Sequence, residues 1–417
     1  MTSTFAVALI TNDAIVFGLL MAILALIFIT SHSKHPGWQK FYKFVPSLLL
    51  CYFIPSLLTT FGVVSEEESN LYFVASRYLL PASLILLTLS IDLKGIINLG
   101  PKAIIMFLAA TFGIMFGGPL AILLLGSINP EMVGGTGPDA VWRGLSTVAG
   151  SWIGGGANQT AMLEIFEPST DLFGAMVTVD IIVANIWMAF LLYGAGISDR
   201  VDGWFKADSS AITTLKNDIA EYQAEIARVP TLVDFTKIIA VAFVLTALGH
   251  IVGDTVAPWI NENSPALSQL SFNSSFFWII VVATTGGLIA SFTKLRNLEG
   301  AGASKIGSLF LYILVMTIGM KMNIASMLDA PGYFAIGAVW ILIHIVILLT
   351  VAKIIKAPFF FVAVGSQANI GGAASAPIVA SAFHPALAPV GVLLAVLGYA
   401  LGTYGAWLCA HMMRIIS

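Results

Sequence analysis

Three consecutive glycines, Gly154, Gly155 and Gly156, sit in the stretch Gly150–Ala161, GSWIGGGANQTA, inside a sequence of long apolar runs. An ordinary membrane-spanning helix does not carry such a run at its centre, because each glycine costs roughly 1 kcal/mol of helix stability relative to alanine. The segment is therefore expected to unwind. Lipid offers nothing to hydrogen-bond an unwound backbone, so this stretch must be buried in protein or line a wet cavity. Asn158, Gln159 and Thr160 follow at once and bring hydrogen-bonding side chains. The pattern returns as Gly365–Ala376, GSQANIGGAASA. Two interrupted segments, one in each half, mark a transporter site between inverted repeats.

The membrane premise rests on composition. The residues AVILMFWYC make up 58% of the chain and charged residues 10%, where a soluble domain carries about 25% charge. The chain reads as a multi-pass integral membrane protein. A net charge of −3 leaves no basic surface for nucleic acid. Cys51 and Cys409 lie far apart in apolar runs and suggest neither a disulfide framework nor a metal site. The phosphate-binding GxxxxGK[ST], HExxH and GxSxG are all missing, so ATP drive and hydrolysis lack their usual parts. No enzyme activity and no cofactor are expected, beyond Na⁺ or H⁺ as a coupling ion. No Lys or Arg precedes the run Ala14–Thr30, which argues for a retained first span with its N-terminus outside.

Runs of roughly 17–25 apolar residues, long enough to span, occur at 13–31, 44–63, 72–91, 102–126 and 171–197, then at 233–252, 275–292, 303–321, 332–352 and 386–412. Two further apolar segments, 141–167 and 358–382, are glycine-broken. Lys34, Lys40 and Lys43 place the first loop inside, Glu66, Glu67 and Glu68 fall outside, and Lys94 and Lys102 fall inside. If 141–167 crossed the bilayer once, Lys294, Arg296, Lys305, Lys353 and Lys356 would all lie outside, against the positive-inside bias. A hairpin that enters and leaves by one face puts all five inside. Each half then holds five spans and one re-entrant hairpin, and the odd number of crossings inverts the second half. LLTLSIDL at 86–93 aligns with VMTIGMKM at 315–322. The expected fold is an all-α polytopic membrane protein of two inverted repeats: 1–197 with its hairpin at 141–167, and 233–417 with its hairpin at 358–382. A polar linker, 198–232, joins them, and Ile212, Leu215, Ile219, Tyr222 and Ile226 give it the spacing of an amphipathic helix.

The motifs GSWIGGGANQTAMLEIF and GSQANIGGAASAPIVA resemble the YjcL-like family of bacterial and plastid membrane proteins, over nearly the whole chain. The wider architecture is similar to the sodium–glutamate and 2-hydroxycarboxylate symporters and, more distantly, to bile acid symporters and cation–proton antiporters. That resemblance implies inverted repeats, glycine-rich re-entrant loops, a homodimer and elevator-like movement in a bacterial inner or plastid membrane. The second loop departs from the first, since IGGAAS has no polar run equal to NQT. The two hairpins are therefore expected to be unequal.

A re-entrant hairpin brings two short helix ends near the midplane. The arm leaving the tip presents free N–H groups and roughly half a positive charge, which suit an anion. The arm arriving presents carbonyls, which suit Na⁺. The tips are expected at Gly154–Thr160 and Asn369–Ser375. Ser151, Gly154, Gly155, Gly156, Asn158, Gln159, Thr160, Ser366, Gln367, Asn369, Gly371, Gly372 and Ser375 are the candidate substrate-binding residues. Asp180, in VTVDIIVANIW, is the candidate ion-coupling residue, because an acid at that depth costs roughly 2.5–3.5 kcal/mol unless it meets a cavity or a partner. Asn185, Thr88 and Thr317 are placed with it, although Asn185 does not share its helical face well. His344, in WILIHIVILL, reads as a neutral histidine bonded between helices. Asp92 and Lys321 occupy matched ends of the third spans, Arg143 reads as an interfacial arginine, and Glu164 and Glu167 are expected near the aqueous face.

These expectations describe a secondary transporter for a small anionic or zwitterionic organic solute, coupled to Na⁺ or H⁺. The rivals are a cation–proton antiporter with no organic substrate, and a membrane partner protein that transports nothing.

Overall fold

The structure, a computed structural model, describes residues 9–45, 47–65, 69–91, 93–207, 229–264, 267, 272–321, 331–384 and 387–417. Among these residues it is helical throughout, with no strand. The first half runs α1 (Asp13–Ser31), α2 (Pro36–Phe44), α3 (Ser47–Thr60), α4 (Leu71–Leu89), α5 (Leu93–Asn98), α6 (Pro101–Gly126), α7 (Val141–Gly154), α8 (Gly156–Phe166) and α9 (Thr170–Gly196). After α10 (Ser198–Phe205), the second half runs α11 (Leu232–Asn263), α12 (Ser275–Ser291), α13 (Ala303–Gly319), α14 (Pro331–Ile355), α15 (Phe359–Ile370), α16 (Gly372–Phe383) and α17 (Ala388–Ile416).

The helix starts follow local chemistry. Asn12 accepts from Ala14 N at 2.9 Å to open α1, and Ser169 and Ser274 do the same for α9 and α12. Thr231 and Asp234 form a reciprocal capping box at the head of α11. Prolines at the first positions of α2 and α6 need no N–H partner there.

Seven of the ten runs expected to span are helices long and apolar enough to cross a membrane: α1, α4, α6, α9, α11, α14 and α17. The other three are shorter. α12 turns by 95° into the 3-10 segment Lys294–Ala301, and α13 has 17 residues. The run expected at 44–63 holds α3, of 14 residues, and α2 precedes it. The span expected to end at 252 continues as α11 to Asn263, because Gly253 lies close against Ser275 and Pro258 is tolerated inside the helix. The linker helix expected at 212–226 lies outside the described residues, as do Glu66–Glu68 and Asp92.

The helices divide into two bundles by the neighbours they touch. α6, α7, α8, α9, α14, α15, α16 and α17 pack mainly on one another, and both glycine-broken segments belong to this group. α1, α3, α4, α11, α12 and α13 form a panel beside it, touching the first group through α4 and α12. Side-chain bonds cross the seam from Thr284 to Thr403 at 3.1 Å, from Thr285 to Tyr404 at 2.6 Å and from Tyr52 to Gln159 at 3.4 Å, and Arg77 pairs with Glu164 at 3.1 Å. At the linker end, Asp202 of α10 accepts from Phe359 N at 2.7 Å and caps α15. Burial raises the Asp202 carboxyl above the ordinary carboxylate range, and this bond pulls it back down.

A close helix crossing in the hairpin bundle is set by Gly402, where an added methyl would lie 2.6 Å from both the Gly154 Cα and the Asn158 amide nitrogen. Gly402→Val is expected to cost about 1–3 kcal/mol through overpacking. Gly196→Ala, at a glycine with nothing within 4 Å, is expected to melt like the parent protein. Equal melting temperatures for both variants would contradict this account of the crossing.

Candidate functional site

α7 ends at Gly154 and α8 begins at Gly156. Between them Gly155 has φ +78 and ψ −173, a conformation that side chains exclude and glycine tolerates. The chain turns back there. A methyl on Gly150 would lie 2.5 Å from the Asn158 carbonyl oxygen, whereas the rise of a straight helix would separate positions eight apart by about 12 Å. The two ends of the segment also meet: Ser169 N donates to Pro138 O at 2.8 Å, Arg143 Nη1 donates to Phe166 O, and the Trp142 and Phe166 rings stand 5.6 Å apart.

The second broken segment folds the same way. Gln367 Nε2 donates to Ser375 Oγ at 2.6 Å across the turn at Gly371 and Gly372, and Phe383 closes the base against Phe359 and Phe360 at 6.1 and 5.3 Å. Gly372 has φ +57. A methyl on it would sit 3.9 Å from the Gly155 Cα, so the two tips touch.

α17 runs past both hairpins. Near its start Gly391 lies against Ala376 of α16, midway Gly398 lies against the carbonyls of Ile153 and Ala368, and near its end His411 meets Phe166 edge to face at 5.5 Å. At about 1.5 Å per residue, the hairpin bases lie at opposite ends of this helix and the tips lie between. Arg414, near Trp142 at 5.8 Å, and Asp13, bonded to Ser69 at 2.7 Å, put both described chain ends on the side of the first hairpin's base. Lys102 Nζ, donating to Lys356 O at 3.0 Å, lies at the other.

One asparagine secures each tip, in the same manner. Asn158 Nδ2 donates to Gly154 O at 2.9 Å and to Tyr399 O at 3.3 Å, while Thr403 Oγ1 donates to Asn158 Oδ1 at 2.7 Å. Asn369 Nδ2 donates to Gly365 O at 2.9 Å and to Phe107 O at 3.2 Å, while Thr111 Oγ1 donates to Asn369 Oδ1 at 2.8 Å. Both asparagines are fully buried. Thr160 Oγ1 donates to Gly156 O at 2.9 Å in the first turn of α8.

Asp180 joins the two arms of the first hairpin. Its carboxylate accepts from Trp152 Nε1 at 2.7 Å and from Gln159 Nε2 at 2.9 Å, and Ser151 bonds the same group. Tyr52 OH of the panel reaches Gln159 Oε1 at 3.4 Å. In the second hairpin Ser366 Oγ accepts from Trp187 Nε1 at 2.8 Å and pairs with His344 Nε2 at 2.8 Å. His344 is thus bonded between helices. Gln367 Oε1 is buried with no partner among the described residues.

The other ion-coupling candidates lie elsewhere. Asn185 Nδ2 folds onto Ile181 O at 2.7 Å on another face of α9. Thr88 and Thr317 bond back to Leu84 O and Leu314 O at 2.7 Å, inside the panel. Their periodicity gave them a helix, but each hydroxyl is spent on its own backbone. Glu164, expected near the aqueous face, is 7% exposed, bonds Tyr72 OH and pairs with Arg77 at 3.1 Å. Arg77 sits in a π-helical turn, Ala75–Leu79, whose Arg77 carbonyl meets His250 Nε2 at 3.0 Å. The signal was in the sequence, since two opposite charges inside apolar runs are expected to pair. Lys321 lies 4.2 Å over the Tyr72 ring, and with Glu164, Glu167 and Thr170 it lines a cleft of about 250 Å³.

A family model described as "Protein of unknown function (DUF819)" matches residues 18–416. The chain belongs to the DUF819 family. A curated relative, the uncharacterized membrane protein YjcL of Bacillus subtilis (strain 168), is 23% identical over 365 residues, covering 84% of this chain and 85% of its own length. This DUF819 protein is accordingly a multi-pass integral membrane protein.

If the two asparagine clamps are equivalent, Thr403→Val and Thr111→Val should each lower stability by about 1 kcal/mol, the worth of one hydrogen bond. Asp180→Leu should cost more, since it leaves the Trp152 and Gln159 donors buried without an acceptor, at about 1–3 kcal/mol for each. Chemical denaturation in detergent measures all three. A loss confined to one threonine would break the equivalence.

Proposed function

We propose that this DUF819 protein is a secondary transporter, not an enzyme, moving a small anionic or zwitterionic organic solute coupled to Na⁺ or H⁺. The observation that carries the reading is the contact of the two hairpin tips, Gly155 against Gly372, midway along α17. There the N-termini of α8 and α16 converge with free N–H groups and positive dipole ends, which favour an anion. The negative dipole ends of α7 and α15, with Gln367 Oε1, which has no partner among the described residues, favour a cation beside it. Asp180 acts as a positioning residue for the first tip in this reading, through Trp152 and Gln159. In this reading the hairpin bundle moves against the panel along their seam, and the two halves are read as inverted repeats. A second copy of the chain is the proposed partner of the panel.

The buried acid Asp180 and the buried His344 favour one rival, cation–proton exchange without an organic solute. A pH-sensitive dye in sealed vesicles separates the two, because exchange needs no added solute.

Thermal-shift screening against amino acids and carboxylates, with and without Na⁺, identifies the solute. Proteoliposomes under an imposed Na⁺ or proton gradient should then accumulate it. Gln367→Leu should remove the dependence on the gradient while the protein still melts cooperatively. Folded protein that accumulates no solute under either gradient would overturn the symport reading.

A further inference from the structure

A second polar cavity, of about 490 Å³, opens at the base of the first hairpin, away from the tips. It is lined by Trp142, Arg143, Glu167, Asn273, Ser274 and Arg414. Three elements meet there: both ends of the hairpin, the residues that open α12, and the last turn of α17. The guanidinium of Arg143 stands 5.1 Å from the Trp142 ring and that of Arg414 5.8 Å from the same ring. Two arginines against one glutamate leave the cavity net positive. Arg143 spends Nη1 on Phe166 O, which closes the hairpin base, yet its Nε is buried with no acceptor among the described residues. A buried guanidinium donor left without a partner is costly, and an anion in the cavity would satisfy it. Asn273 and Ser274 add neutral hydrogen-bonding groups on the opposite wall, at the N-terminus of the 17-residue α12.

We propose that this cavity is an anion-binding site that takes a small carboxylate or phosphate group between Arg143 and Arg414. The site spans the seam, since Arg143 and Arg414 belong to the hairpin bundle and Asn273 and Ser274 to the panel. A bound anion therefore touches both bundles at the end where the first hairpin opens. Its service as a loading point for solute rests on the transporter reading above; its binding of an anion does not. The anion is either dissolved or the phosphate of a lipid headgroup, since Trp142 is the kind of side chain that sits at the level of headgroups.

The test is equilibrium binding to the purified full-length protein, with inorganic phosphate and malonate as dissolved probes. In a parallel arm, nanodiscs of phosphatidylcholine are compared with nanodiscs that also contain phosphatidylglycerol. Saturable binding is expected, weakening with added salt. Arg414→Gln and Asn273→Asp, both at exposed positions, should each weaken it about tenfold, the effect of losing or opposing one charge-assisted hydrogen bond. If phosphatidylglycerol alone binds and both variants release it, the site stands and its ligand is the headgroup. If phosphate or malonate binds and phosphatidylglycerol does not compete, the ligand is dissolved. Absence of saturable binding by every probe would overturn the site, as would folded variants that bind like the parent. Because the readout is binding, either result leaves the uptake experiment to be judged separately.

Discussion

A backbone that unwinds within an apolar slab must find hydrogen-bond partners in the protein itself, and this requirement governs the arrangement of the hairpin bundle. Gly155 ends one helix where no other helix supplies its ladder, and the last carbonyl of α7, Gly154 O, is taken by the Asn158 side chain. Asn158 is in turn held by the Tyr399 carbonyl and the Thr403 hydroxyl of α17. That fixes where α17 crosses, and Gly402 allows the approach because it has no side chain to interpose. The same logic runs through Asn369 to Phe107 and Thr111 of α6. The long helices beside the hairpins thus serve as hydrogen-bonding partners as well as apolar walls.

The polar groups that remain are arranged by hairpin. Around the first, Asp180 gathers Trp152 and Gln159 from opposite arms, so that the tip is tied to α9 by charge-assisted bonds. Around the second, Ser366 stands between Trp187 and His344, with neutral groups in place of a carboxylate. The hairpins are unequal in the chemistry that holds them, although their turns are alike. Across the seam, the pairing of Arg77 with Glu164 links the panel to the first hairpin close to its base. Any sliding of one bundle along the other has to part that pair.

Much of this was legible in the residues. The triple glycine and its echo at Gly371 and Gly372 marked both turns, and Lys294, Arg296, Lys305, Lys353 and Lys356 argued that the first segment comes back to the face it left. What stayed hidden were the partners. Periodicity places Asn158 on a helix but cannot show that Thr403, so distant in sequence, donates to it. It also cannot show that Thr88 and Thr317 turn their hydroxyls onto their own helices. The partner of Glu164 was hidden for a related reason, since only the fold brings Arg77 beside it. The π-helical turn that presents Arg77 leaves no mark in apolar spacing.

The central claim is that each glycine-broken segment is a hairpin whose two ends share one face, and that the two hairpins open on opposite faces. It is tested most directly by labelling single cysteines with a membrane-impermeant maleimide in sealed vesicles of known orientation. Asp139→Cys and Thr170→Cys report the ends of the first hairpin, and Lys356→Cys and Ala382→Cys those of the second. Cysteines 139 and 170 should react from one side only, and cysteines 356 and 382 only from the other. Labelling of the two ends of either segment from opposite sides would contradict the account, as would labelling of all four from the same side.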